Sequence, residues 1–107
     1  MKLAIISVTK NGAALANTLA KDLGMPVDVY ARHGRDVGGS VQCYESLSRL
    51  IADIYLKYEG LVFIMAAGIV VRVLAPHVRD KRFDPAVVVL DELGEHVISL
   101  LSGHIGG

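Results

Sequence analysis

The chain runs as short apolar stretches separated by polar turns, and the period of its apolar positions changes along its length. Leu3-Ala4-Ile5-Ile6-Ser7-Val8 is an almost unbroken apolar run, the length and type expected of a strand covered on both faces. It is read as the first, central strand. Thr9-Lys10-Asn11-Gly12 follows and offers Thr9 or Asn11 as the N-cap of a helix, in which Leu15, Leu19 and Leu23 recur every fourth residue beside Ala16 and Ala20. Gly24 supplies its stop, with Pro26 just beyond.

Val27-Asp28-Val29-Tyr30 alternates as a second strand, whereas Ala31 to Gln42 carries Gly34, Gly38 and Gly39 without any period and reads as a mobile loop. From Tyr44 onward Leu47, Leu50, Ile51, Ile54, Tyr55 and Tyr58 trace a helical stripe. Gly60 breaks it, and Leu61-Val62-Phe63-Ile64-Met65 forms a third buried strand ending at Ala66-Ala67-Gly68. The run Ile69, Val70, Val71, Val73, Leu74 has strand propensity, but a strand already precedes it and Pro76 closes it about two helical turns after Gly68. A short helix is therefore predicted. After the charged connector 79–85, strands at Ala86 to Leu90 and Val97 to Leu101 are linked by Asp91-Glu92-Leu93-Gly94-Glu95, which suits a hairpin. The pattern predicts one α/β domain over residues 1–107, a three-layer sandwich with a mainly parallel, flavodoxin/Rossmann-like sheet and a C-terminal β-hairpin.

Composition narrows the function classes. The 107 residues are 52% hydrophobic and 21% charged, a globular balance, with 11 basic and 11 acidic side chains cancelling. No whole-molecule field argues for nucleic acid or a membrane surface. The longest apolar stretch, Leu61 to Ala75, is interrupted by Arg72 and falls short of the ~18 residues a membrane span needs. Met1-Lys2-Leu3 leads into a strand and not into a secretory signal. The single cysteine, Cys43, fits a reducing compartment, so a cytoplasmic location is expected.

In an open parallel sheet, ligands bind beyond the carboxyl ends of the strands. Three segments are expected to meet there: Ser7 to Gly12, Met65 to Gly68, and Ser99 to His104. Small side chains at Ala66 and Ala67 let a ligand approach the backbone, and a helix opening at Gly68 would favour an anion, with Arg72 one turn further in. The alternative is that these small residues only allow helix to pack on strand. Arg72, Arg79, Lys81 and Arg82 face one nearby acid, Asp80, and suit a substrate bearing carboxylates. In Ser102-Gly103-His104-Ile105-Gly106-Gly107 a histidine sits among glycines after a strand; His104 can serve as acid or base and Ser102 as an oxyanion donor. There is no dinucleotide fingerprint or P-loop, and His33, His77, His96 and His104 lack zinc-site spacing.

The segments Phe63 to Arg72, Asp80-Lys81-Arg82, Asp84 to Asp91 and Val97 to Gly107, in this order and spacing, closely resemble the N-terminal domain of the cobalamin-biosynthesis protein family CbiG. The resemblance implies a cobalt-precorrin-5A hydrolase of the anaerobic vitamin B12 pathway. Water opens a δ-lactone on the contracted ring, and the former meso carbon leaves with its methyl group as acetaldehyde. The resemblance implies no cofactor beyond the cobalt that the substrate carries, and a polycarboxylate corrinoid as partner.

On this resemblance, His104 is placed as the acid-base group. Ser102 and the N–H groups of Gly103, Gly106 and Gly68 are placed as oxyanion donors, and Asp84 or Asp91 as the group orienting His104. Ala67, Gly68, Arg72, Lys81 and Arg82 are placed against the substrate, together with Asp84, Gly103 and Gly106. Proteins of the family continue into a middle segment and a C-terminal domain, so the remaining domains or a partner chain are expected to complete the protein. The competing expectation is a non-catalytic corrinoid-binding or structural domain.

Overall fold

A computed structural model describes residues 2–80 and 83–102 of the chain. The elements follow as β1 (Leu3–Ser7), α1 (Lys10–Leu23), β2 (Val27–Arg32), β3 (Val41–Tyr44), α2 (Leu47–Ile54), β4 (Gly60–Ile64), α3 (Ala67–Leu74), β5 (Ala86–Leu90) and β6 (Val97–Ser102). They build one six-stranded sheet in the order β3-β2-β1-β4-β5-β6. All neighbours are parallel except β5 and β6, which pair antiparallel as a hairpin.

Strand alternation divides the core in two. Ala4 and Ile6 of β1, with Leu61 and Phe63 of β4, pack under α2 and α3 through Leu50, Ile51, Val70 and Leu74. Ile5 and Ile64 point to the other face, against Ala16, Leu15 and Leu19 of α1. The result is helix, sheet, helix, the three layers expected from the sequence. Each fully buried Ile or Phe contributes about 1.5–3 kcal/mol to this arrangement.

The helix ends follow local chemistry. Thr9, not Asn11, caps α1: its Oγ1 accepts from the Gly12 N–H at 3.0 Å, while Asn11 lies inside the first turn. Gly24 ends α1 in the left-handed region at φ 62°, where a side chain would be strained. Ser46 caps α2 through the Arg49 N–H.

Two expectations need correction. The segment 31–42 is not wholly loop, because β2 runs to Arg32 and a further strand begins at Val41, pairing Val29 with Val41 and Arg32 with Tyr44. Four residues behind a glycine-rich turn carry too little periodicity to stand out. The helical stripe also ends sooner than read: α2 stops at Ile54, and Tyr58 lies beyond it, buried through its own contact with Tyr30.

Candidate functional site at the carboxyl edge

Two of the three expected segments meet beyond the carboxyl ends of β1 and β4. The turn entering α1 lies directly against the end of β4, since a Cβ on Gly12 would sit 3.3 Å from Ile64 Cγ2 and 3.4 Å from Ile64 O. The end of β4 is in turn tied to β5 by the Met65 N–H donating to Leu90 O at 3.1 Å. On the other flank, the Tyr44 hydroxyl donates to Ser7 O at 2.5 Å and fastens β3 across β2 to the end of β1. Burial pushes that phenol up to about 12, against a smaller opposing pull from Arg32. Ser7 itself is fully buried, its hydroxyl donating to Tyr30 O, so it supports the strand and does not face a ligand.

At the centre of this edge α3 starts without a side-chain cap. Ala66 has extended backbone and makes no side-chain capping bond; the Ile69 N–H turns back to Ala66 O at 3.1 Å, and among the described residues no side chain caps the N–H groups of Ala67 and Gly68. Gly68 is exposed, its φ is not left-handed, and a Cβ placed on it would meet nothing within 4 Å. Neither backbone strain nor helix-on-strand packing demands a glycine here. Arg72 stands one turn along, exposed, at the i+4 position that shares a helix face with Gly68. Ala67 is half-buried and packs against the core.

The third segment goes elsewhere. Because β6 runs antiparallel to β5, Ser102 pairs with Ala86 at the amino edge, and Val97 pairs with Leu90 at the carboxyl edge. Ser102 is thus a strand's length, roughly 17 Å, from the end that carries Gly68. The described part of the third segment, Ser99 to Ser102, does not converge with Ala66-Ala67-Gly68, for the reason that a hairpin reverses direction. His104, Gly103 and Gly106 lie outside the described residues, as do Lys81 and Arg82. The histidine that the hairpin does bring to the carboxyl edge is His96, exposed, with its carbonyl accepting from the Asp91 N–H at 3.3 Å. Its place after a hairpin turn was the available signal.

Asp91 and Asp84 both serve the fold. Asp91 Oδ1 accepts from the N–H groups of Leu93 and Glu95 at 2.8 and 3.2 Å, and Oδ2 from His96 N–H at 2.8 Å, so the carboxylate organises the hairpin turn. Partial desolvation pushes its pKa up, but the three amides together outweigh this and hold the carboxyl below its usual value. It stands at the opposite end of β6 from Ser102. Asp84 is 5% exposed, accepting from the Tyr55 hydroxyl at 2.9 Å and the Arg79 N–H at 3.0 and 3.1 Å. It lies before β5, whose start is fixed by the Ala86 N–H donating to Glu59 O, and so belongs to the amino edge with Ser102. A buried, bonded carboxylate there does not offer itself to substrate. Of the basic stretch, Arg79 is likewise at this edge, away from Gly68 and Arg72.

Among the described residues no group of three or more His, Cys, Asp or Glu could hold a metal ion, and no helix is long and apolar enough to cross a membrane.

An open, mostly parallel α/β sheet with an uncapped helix start beyond its central strands defines a domain of the class that takes ligands at the carboxyl edge. The chain belongs to the cobalamin synthesis G N-terminal family, whose model matches residues 49–107. It is 45% identical over 98% of its length to the cobalt-precorrin-5A hydrolase of Salmonella typhimurium and 40% identical over 97% to that of Priestia megaterium. It spans 29% of the length of each of these curated relatives. A solved structure of a cobalamin biosynthesis protein G homolog from Sulfolobus solfataricus superposes with a TM-score of 0.74 at 26% identity, covering 95% of this chain and 29% of that one. The family and fold expected from the sequence are both met.

Proposed function

We propose that the chain is the N-terminal domain of a cobalt-precorrin-5A hydrolase, acting on a cobalt corrinoid lactone in cobalamin biosynthesis. The observation that carries this reading is the 40–45% identity with two curated hydrolases across almost the whole chain. In the reaction, water adds at the lactone carbonyl and its acyl C–O bond breaks, leaving a carboxylate and an alcohol on the former meso carbon. The alcohol gives up its proton, the C–C bond to the macrocycle breaks, the macrocycle carbon takes a proton, and the two-carbon fragment leaves as acetaldehyde. The protein supplies no redox chemistry to this hydrolysis.

Within that reading, the start of α3 receives a substrate carboxylate. Ala67 and Gly68 leave room at the backbone, their own N–H groups donate, and Arg72 pairs with the anion from the same helix face. The acid-base work is assigned to His104, with Ser102 and the N–H groups of Gly103 and Gly106 as donors and Lys81 and Arg82 as further cations. Ser102 stands at the opposite edge of the sheet from Gly68, so binding at Gly68 and donation by Ser102 are separate assignments, while Asp91 and Asp84 hold the turns. Incubating the full-length protein with the anaerobically prepared lactone should release acetaldehyde. His104→Ala should abolish release while substrate still binds, and Arg72→Ala should weaken binding. Turnover by His104→Ala at the unchanged rate refutes the catalytic assignment; no acetaldehyde from the intact protein refutes the activity.

A further inference from the structure

Helix α3 differs from α1 in what it shows to solvent. The exposed face of α1 carries Lys10, Thr18, Lys21 and Asp22. In α3 the only charged residue is Arg72, and although Val70 and Leu74 are buried on the sheet, Val71 is 52% exposed. Val78, in the turn after the helix, is 44% exposed. A helix that is apolar nearly all round is normally covered on both sides. Alongside it, Val71, Leu74, Ala75 and Val78 form an apolar groove of about 200 Å³ with Leu100 and Leu101 of β6, the end strand of the sheet. Val97 and Ile98 of the same end strand are also exposed.

We infer that this groove between α3 and β6 is the docking surface for the remainder of the family protein, the polypeptide that follows this domain. The matched region is 29% of each curated relative and the family is defined by its N-terminal position, so most of each relative lies downstream of this domain. Strand β6 reaches Ser102 one residue after groove-lining Leu101. A downstream segment is therefore tethered at the groove itself, at high effective concentration. Apolar groove, apolar helix face and point of departure coincide. The inference rests on family membership and holds whether or not the hydrolase reading does.

Thiol footprinting of the full-length protein tests it. In a Cys43→Ser background, Val71→Cys and Val78→Cys report on the groove, and Thr18→Cys on the exposed face of α1 serves as reference. Both groove thiols should react at least tenfold more slowly than the reference at every protein concentration, and adding Val78→Asp to Val71→Cys should restore its rate. The replaced valines are about half-exposed and lie outside the buried core, so the domain keeps its core. Reaction at the reference rate overturns the inference. Protection that fades on dilution also overturns it, because the occupant would then be a second copy of the chain.

Discussion

The Tyr55 hydroxyl donates to Asp84 Oδ1 at 2.9 Å, joining the end of α2 to the turn that leads into β5. Both residues are buried, and burial first, then the bonded carboxylate, raises the phenol's pKa. Tyr55→Phe removes a donor from a buried carboxylate and leaves it, among the described residues, the Arg79 amide. The substitution should cost about 1–3 kcal/mol, measured as a drop in the urea midpoint at unchanged slope.

Acid sensitivity should come in part from the amino edge. Tyr58 donates to Asp28 Oδ2 at 2.5 Å and Lys2 Nζ lies 3.2 Å from the same oxygen. The Tyr58 hydrogen bond, and more weakly Lys2, hold the Asp28 carboxyl below its ordinary value of 3.8 in spite of partial desolvation. A carboxyl depressed on folding contributes stability above the unfolded value, and that contribution is lost as pH falls through the folded one. Unfolding free energy should therefore decline from about pH 5 downward, and Tyr58→Phe should flatten the decline. Equal slopes for the two proteins would refute the coupling.

Asp91→Ala should lower the thermal midpoint and speed hydrogen exchange in β6, because three amides of the hairpin lose their acceptor. At temperatures where the variant is folded, acetaldehyde release by the full-length protein should keep its kcat within about twofold. A loss of a hundredfold or more in a folded variant would return Asp91 to the chemistry.

Most of the fold was legible because local chemistry and tertiary packing agree. Thr9 and Gly24 bound α1, and the position of Pro76 outweighed the strand propensity of the valines in α3. Strand β3 was missed since a four-residue edge strand is settled by pairing with β2, a long-range fact. The site was legible only by half. Gly68 and Arg72 share a helix, so spacing alone places them together, whereas the edge at which Ser102 stands depends on the direction of β6, which residue type does not carry.

The central claim is that the start of α3 holds the substrate, and Gly68→Val in the full-length protein tests it most directly. A side chain there meets open space within the domain, and replacing a helical glycine removes a residue about 0.5–1 kcal/mol less favourable than alanine. The thermal midpoint should hold or rise while KM for the lactone increases at least tenfold. An unchanged KM in the folded variant would contradict the account and move substrate binding away from this helix.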